Sequence, residues 1–324
     1  SCYPLKKPRI SLIAIILDKL YSSRPFLMAL MMTKHFLNLK DLPSDEIKSI
    51  VSNALEMKKN SASNLKLQGK YLGLIFEKSS TRTRISFEVA MNQLGGKASF
   101  LSVNDLQLGR GEPISDTSKV ISSMADALVL RTLKHQTLEE FASNSRIPII
   151  NGLTDLSHPC QLLADILTFQ EHRGSIENKK VCWVGDFNNV CFSYVEAAEI
   201  FNFNLEIVCP DKYLPANLDL PNNVNVSNNL ISGLQGSDLV TTDVWVSMGD
   251  ESDSAERIKE FSSFQISPET MEEANSEAIF LHCLPAVRGQ EVSEDMLEDP
   301  RSKVWDQAEN RLHAQKSLLV HLLT

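Results

Sequence analysis

The 324-residue chain has a formal net charge of −9, with 43% hydrophobic and 23% charged residues. This is an ordinary globular composition, long enough for one large or two medium domains, and it excludes disordered, collagen-like and disulfide-scaffold chains. The acidic balance argues against a general nucleic-acid or anionic-membrane binder, since such proteins need extended basic faces, so any anion site must be local.

The first 31 residues differ from the rest of the chain. A basic cluster at residues 6–9 precedes one apolar run at residues 10–17, and a second run covers residues 26–32. A targeting segment has such an acid-poor start, but no clear small-residue cleavage site follows, and neither run is long enough to span a membrane. A non-native or mis-assigned extension and a targeting segment both stay open, and we expect the folded part to begin near Met32.

The first half of the folded part alternates between helical and strand patterns. Ser44 opens a helical pattern, and Gly95-Gly96 is a typical end signal for a helix over RISFEVAMNQLGG. Four strands are predicted: YLGLIF (71–76), ASFLSV (98–103), ALVLRT (127–132) and IPII (147–150). Strands joined by helices indicate βαβ units and a parallel sheet.

The second half repeats this alternation after a predicted helix at residues 160–172 and a hinge at residues 173–175. Its predicted strands are KVCWVGD (180–186), LEIVCP (205–210), DLVTTDVW (238–245) and AIFLHCLP (278–285). The pattern predicts an α/β protein of two domains, each with a central parallel sheet flanked by helices, and an active site in the interdomain cleft. We expect an extension at 1–31, a first domain at 32–165, a second at 166–308, and a C-terminal helix at 309–324 that packs back on the first domain.

A cluster of hydroxyl and basic side chains stands between the strand at 71–76 and the next helix. Here backbone N–H groups and the positive helix end converge, Ser80, Thr81 and Thr83 add hydroxyl donors, and Arg82 adds a bidentate fork. This predicts a phosphate-binding cradle, and the absence of the Walker glycine pattern means that the phosphate need not belong to a nucleotide. The alternative is an ordinary N-cap beside a solvated charge run.

Ordered motifs along residues 34–324 give a family resemblance. STRTR (80–84) resembles the carbamoyl phosphate signature of the aspartate/ornithine carbamoyltransferase family, and HPCQLLAD (158–165) resembles its second signature. Lys78 resembles the ornithine branch, because aspartate enzymes typically carry proline there. The likeness continues through DFNNV (186–190), DVWVSMG (243–249), HCLP (282–285) and AENR (308–311).

The resemblance implies transfer of the carbamoyl group from carbamoyl phosphate to the δ-amine of L-ornithine, giving L-citrulline and phosphate. Such a site must neutralise phosphate and stabilise an oxyanion. The cradle residues suit the phosphate, and the resemblance places His158 on the carbamoyl oxygen as a neutral donor. It implies carbamoyl phosphate contacts for Ser80, Thr81, Arg82, Thr83, Gln107, Arg131, His158, Pro159, Cys160, Gln161, Cys283, Leu284 and Arg311.

Ornithine needs a partner for its carboxylate and a counter-charge for its α-ammonium. Asn189, expected in a loop after a strand, can bind the carboxylate, and Asp243, at a strand end, supplies the charge. Ser247 and Met248 add a hydroxyl and a loop over the substrate. The resemblance places Cys283 in this pocket as a thiol or thiolate. The predicted catalytic residues are Arg82, Arg131, His158, Asp243 and Cys283.

Assembly, compartment and cofactors complete the expectations. The resemblance implies a homotrimer, or a multiple of trimers, in which Gln107 reaches the neighbouring site; the alternative is a polar surface loop. The cysteines show no C-x-x-C pair or zinc-type spacing, so no metal is predicted, and Cys182 and Cys209 are expected as buried thiols in a reducing compartment. We expect no cofactor, no nucleic-acid or membrane partner, and a cytoplasmic location, or an organelle matrix if residues 1–31 are a transit segment.

Three other functions are alternatives to carbamoyl transfer to ornithine. A dinucleotide oxidoreductase needs three glycines after a strand, and VGDFNNV offers one. A carbamoyltransferase for aspartate, putrescine or an N-acylated ornithine would keep the cradle and change the amine pocket. A non-catalytic descendant would have lost chemical positions, and none of those named above is missing.

Overall fold

The computed structural model describes residues 33–60, 65–103, 111–215, 219–246 and 254–324. The expectations for residues 1–31, Gln107, Ser247 and Met248 lie outside these ranges. No described helix combines the length and apolarity needed to cross a bilayer.

The first sheet is parallel, with strand order β2-β1-β3-β4. Its strands are β1 (Tyr71–Phe76), β2 (Lys97–Ser102), β3 (Ala127–Arg131) and β4 (Ile149–Leu153). The accompanying helices are α1 (Ser44–Lys59), α2 (Thr81–Gln93), α3 (Ile114–Ser122), α4 (His135–Ser143) and α5 (Pro159–Arg173).

The second sheet is also parallel, with strand order β7-β6-β5-β8-β9. Its strands are β5 (Lys180–Val184), β6 (Asn204–Val208), β7 (Val224–Ser227), β8 (Leu239–Thr242) and β9 (Ile279–His282). The helices are α6 (Asn189–Phe201), α7 (Leu230–Leu234), α8 (Ser254–Phe261) and α9 (Val304–Leu323). Two helix-flanked parallel sheets confirm the predicted fold class.

Element boundaries follow the local chemistry closely in most places. β1 has the predicted bounds, and α2 ends just before Gly95, whose φ of 83° favours glycine. The fourth strand was predicted two residues too early: it begins at Ile149, after Pro148, which has no N–H for the ladder. The edge strand β7 was not predicted, because its four residues alternate without a strong apolar run.

The last helix joins the two halves of the molecule. α9 packs against α1, α2 and α5, while its own residues also contact β9. Its buried face includes Ala314, Leu318 and Leu319, which belong to a core cluster that runs through both sheets. Cys182 and Cys209 are buried in this core, as predicted.

A second connection between the halves involves a buried acid. The Glu196 carboxylate, on α6, accepts a hydrogen bond from the Leu39 N–H in a 3₁₀ turn near the start of the described chain (3.3 Å). Burial raises the pKa of Glu196 to about 7, and hydrogen bonds from this turn partly oppose the shift. On the same helix, the exposed Glu199 pairs with Lys40.

Candidate active site

A cavity of about 840 Å³ opens where the carboxyl ends of both sheets meet. In parallel sheets this edge collects the loops that follow the strands, and ligands bind there. The first sheet supplies lining residues after β1, β3 and β4, the second supplies them after β5, β8 and β9, and α9 supplies one arginine. The polar lining residues are Ser79, Ser80, Thr81, Arg82, Thr83, Arg131, Thr154, Asp155, His158, Asp186, Asn188, Asn189, Asp243, Cys283 and Arg311.

The predicted cradle forms at the start of α2. Ser80 has extended backbone (φ −151°) and is the N-cap, and its Oγ accepts a hydrogen bond from the Thr83 N–H (3.3 Å). Arg82 extends across the cavity, where its Nη2 donates to the Leu284 carbonyl (2.7 Å). Leu284 itself has a left-handed φ of 57°, and its N–H donates to His282 Nδ1 (2.8 Å). The helix end therefore faces the cavity and contacts the opposite wall.

Three guanidinium groups give the cavity beside the cradle a positive charge. Arg131, at the end of β3, and Arg311, on α9, are buried, and both line the cavity with Arg82. Burial, then the charges of Arg311 and Arg82, lower the pKa of Arg131 to about 10. Among the described residues none of the three pairs with a carboxylate, and Nε of both Arg131 and Arg311 is buried without a protein partner. Such an arrangement fits a multiply charged anion.

His158 lies beside this arginine cluster at the start of α5. Its backbone N–H donates to Ser193 Oγ (2.9 Å), and its buried ring Nδ1 has no hydrogen-bond partner among the described residues. Burial holds the pKa of the imidazole well below its usual range, and the charges of Arg311, Arg131 and Arg82 add to the effect. A neutral ring can donate to a carbonyl oxygen without changing charge, whereas its low basicity makes it a poor general base.

Three predicted contacts from the HPCQ motif do not line the cavity. Pro159 and Cys160 follow His158 into the first turn of α5 and are buried behind the wall, where the Cys160 thiol donates to Asn151 O (3.4 Å). Burial raises the pKa of that thiol to about 12. Gln161 is also buried, and its Oε1 accepts a hydrogen bond from Arg311 Nη1 (2.6 Å). These side chains support the wall because the first helical turn faces the interior.

Asp243 and Cys283 meet on the side of the second sheet. The Cys283 thiol donates to Asp243 Oδ1 (3.0 Å), which also accepts from the Val244 N–H (2.8 Å). Burial raises the pKa of Cys283 well above its usual range, and the neighbouring Asp243 charge raises it further. Of the two forms left open by the sequence, the structure therefore favours the neutral thiol.

Asn188 was missed by the sequence reasoning. It is the N-cap of α6, where its Oδ1 accepts from the N–H groups of Val190 and Cys191 (3.0 Å each), and its Nδ2 donates to Asp243 Oδ2 (2.9 Å). The adjacent Asn189 is the first residue of α6 rather than a loop residue, and its Nδ2 donates to the Thr154 carbonyl (2.6 Å). An asparagine directly before a helix is a usable N-cap signal in DFNNV.

Asp243, His282 and Cys283 place possible metal-ligand atoms within 4.8 Å of one another. His282 Nδ1 already accepts from the Leu284 N–H, and its Nε2 contacts Glu291 Oε1 (3.0 Å). Since both ring nitrogens are engaged and the thiol holds its proton, hydrogen bonding accounts for this group better than metal ligation does.

Known proteins share both halves of this structure. Family models for the carbamoyl-P binding domain and the Asp/Orn binding domain of aspartate/ornithine carbamoyltransferase match residues 34–171 and 177–322. An ornithine carbamoyltransferase of Psychrobacter cryohalolentis is 52% identical over 299 residues, 90% of this chain and 98% of the relative. One of Methylococcus capsulatus is 52% identical over 297 residues, 91% of this chain and 100% of the relative. The solved structure of the ornithine carbamoyltransferase from Pyrococcus furiosus superposes with a TM-score of 0.85 at 41% identity, covering 90% of this chain and 97% of that one.

Proposed function

We propose a mechanism from the premise that the chain belongs to the aspartate/ornithine carbamoyltransferase family. The protein transfers the carbamoyl group of carbamoyl phosphate to the δ-amine of L-ornithine, giving L-citrulline and phosphate. The observation that supports the residue roles below is that one cavity is lined by both the arginine cluster and the Asp243–Cys283 pair.

Carbamoyl phosphate binds at the cluster of Arg82, Arg131 and Arg311. Its phosphate lies at the start of α2, where Ser80, Thr81 and Thr83 supply hydroxyl or N–H donors and Arg82 supplies a guanidinium. His158 and Arg131 bind the carbamoyl group, because both line the same cavity and each has a buried nitrogen that no described protein group hydrogen-bonds. These donors stabilise the oxyanion of the tetrahedral intermediate while the His158 imidazole stays neutral.

Binding is ordered, with carbamoyl phosphate first. The buried guanidiniums of Arg131 and Arg311 and the half-buried one of Arg82 repel a cationic amino acid in a low-dielectric cavity, and a bound phosphate dianion removes most of that repulsion. Ornithine then binds with its α-ammonium at Asp243 and its carboxylate near Asn189. Contacts with Ser247 and Met248 belong to the same proposal.

The chemistry is a direct displacement at the carbonyl carbon. The uncharged δ-amine attacks, the new C–N bond forms, and the bond from carbon to the phosphate oxygen breaks as the tetrahedral intermediate collapses. The proton lost by the amine goes to the leaving phosphate. Cys283 is already protonated, and the lowered pKa of His158 makes its ring a weak base.

Citrulline formation with a panel of amines tests this assignment. The wild-type protein is given carbamoyl phosphate with ornithine, aspartate, putrescine or N-acetylornithine, and we expect strong preference for ornithine. Asp243→Asn is the informative variant: it should raise the KM for ornithine and leave phosphate affinity unchanged, because the carboxylate bonds Asn188 and Cys283 rather than the arginines. Turnover of another amine in preference would overturn the roles of Asp243 and Asn189, and no turnover at all would favour a non-catalytic descendant.

The assembly and domain division are part of the proposal. We propose a homotrimer in which Gln107 contacts a neighbouring subunit's site. Its support is that the edge strand β2 has mostly half-exposed side chains and that Ile85, on α2, is exposed. Light scattering should give three times 36.2 kDa.

The first domain comprises residues 32–165 with the helix at 309–324, and the second comprises 166–308. The protein works in the cytoplasm, which localisation by microscopy can check.

A further inference from the structure

Asp165, on α5, is buried at 1% exposure behind the cavity wall, and it belongs to none of the substrate contacts above. Its carboxylate accepts three hydrogen bonds from neutral side chains on three helices. Gln161 Nε2 (2.8 Å) and Gln307 Nε2 (2.5 Å) donate to Oδ1, and the Tyr194 hydroxyl donates to Oδ2 (2.7 Å). Burying a carboxylate without a cationic partner is costly, so a purely structural contact would be better made by apolar groups.

A carboxylate that only accepts hydrogen bonds fixes the orientation of both glutamine amides. Each amide turns its NH₂ group toward Asp165, and its carbonyl oxygen therefore points away. Gln161 Oε1 accepts from Arg311 Nη1 (2.6 Å), and Gln307 Oε1 accepts from the His282 N–H (3.0 Å). If either amide rotated, an NH₂ group would face a donor.

The two amides lead to two different groups of the cavity wall. Arg311 belongs to the arginine cluster, and its Nη2 also donates to Thr83 Oγ1 in the cradle (3.3 Å). His282 directly precedes Cys283, whose thiol holds Asp243. We propose that Asp165 is a positioning residue: by fixing two glutamine amides, it aligns Arg311 on the phosphate side and the Cys283 loop on the amine side.

This inference rests on the proposed function for its kinetic readout, and a direct binding measurement makes it independently testable. Asp165→Leu keeps the branched shape of the side chain but removes both acceptor oxygens, which leaves the NH₂ groups of Gln161 and Gln307 without their shared acceptor. We expect kcat/KM for citrulline formation to fall by about 100-fold, the usual scale for a misplaced catalytic group. We also expect weaker binding of inorganic phosphate by calorimetry.

Tyr194→Phe is the matched control. It removes one hydrogen bond from the same carboxylate but leaves both amides oriented, so we expect phosphate affinity and KM for ornithine within about threefold of wild type. A merely structural Asp165 predicts instead that both variants lose activity in proportion to their lost stability. That outcome, or an Asp165→Leu protein with unchanged phosphate affinity and unchanged KM for ornithine, would overturn the proposal.

Two further variants test the proposal if Asp165→Leu does not fold. Gln161→Met should weaken phosphate binding, whereas Gln307→Met should raise the KM for ornithine and leave phosphate binding unchanged. If neither variant changes its own readout, the proposal is wrong. Because phosphate binding needs no turnover, a failure of the proposed reaction would leave this result interpretable.

Discussion

Glu196→Gln tests the buried connection between α6 and the turn at residues 39–41. The wild-type carboxyl has a pKa of about 7 against an ordinary value of 4.5, and the residue is 6% exposed. Because the folded-state pKa is raised, the protonated carboxyl contributes stability that is fully present below about pH 4.5. That contribution is lost as the pH rises through about 7.

The size of the effect follows from the shift. At about 1.4 kcal/mol per pKa unit, the difference between the two values corresponds to about 3 kcal/mol of unfolding free energy between pH 5 and pH 8. Glutamine cannot titrate, and its Oε1 can still accept the Leu39 N–H. The variant should therefore gain stability relative to wild type as the pH rises, by up to about 3 kcal/mol.

Urea unfolding of both proteins at about pH 5 and pH 8, followed by tryptophan fluorescence at one protein concentration, measures this difference. Glu199→Gln is the control, since Glu199 lies on the same helix but pairs with Lys40 at the surface, where ion pairs contribute little. We expect its effect to be small at both pH values. If Glu196→Gln changed stability equally at both pH values, the carboxyl would not titrate in this range and the burial argument would fail.

Three further predictions concern the site. Arg82→Ala should lower kcat/KM for carbamoyl phosphate by about 100-fold or more, because the phosphate loses a charged partner in a desolvated cavity. Arg173→Ala, at the surface, should stay within about threefold of wild type. Near-normal turnover of Arg82→Ala would refute the assignment of Arg82 to the phosphate-binding cradle. The His158 ring should take up no proton as the pH falls through 6.5 in an NMR titration assigned with His158→Gln, since its pKa is lowered by burial, and a midpoint near 6.5 would contradict this. Cys283 should react slowly with iodoacetamide near neutral pH, and Asp243→Asn should accelerate the reaction by removing a charge that raises the thiol pKa. Peptide mass spectrometry measures both rates, and equal rates in wild type and variant would contradict the interaction between Asp243 and Cys283.

Local signals predicted those features that depend on a few neighbouring residues. The strand YLGLIF has its predicted bounds, and a helix follows it as predicted, but that helix begins at Thr81 rather than at Arg84, with Ser80 as its N-cap. Arg131 is the last residue of β3, one position before the predicted end of that strand, and Cys283 directly follows β9, inside the segment predicted as a strand. Short strands and strands that begin beside a proline were harder to predict, as β7 and the start of β4 show.

Interactions between distant residues could not be predicted in the same way. Gln307 and Asp165 lie 142 positions apart, and no periodicity in either segment indicates that they share a hydrogen bond. The burial of Gln161 likewise depends on how α9 packs over α5, which only tertiary structure decides. The sequence thus predicts which residue types serve the chemistry, whereas the contacts that hold them in place depend on the assembled fold.

During synthesis on the ribosome, α9 emerges after every helix that it covers. Arg311 must reach Thr83, 228 positions earlier, so the arginine cluster is incomplete until residues 304–323 have left the exit tunnel. Until then the nascent chain exposes the apolar faces of α1 and α2, a state in which chaperones bind and aggregation begins. A chain released early would therefore lack phosphate affinity as well as its covering helix, so translation errors near the end should yield inactive protein rather than a partly working enzyme.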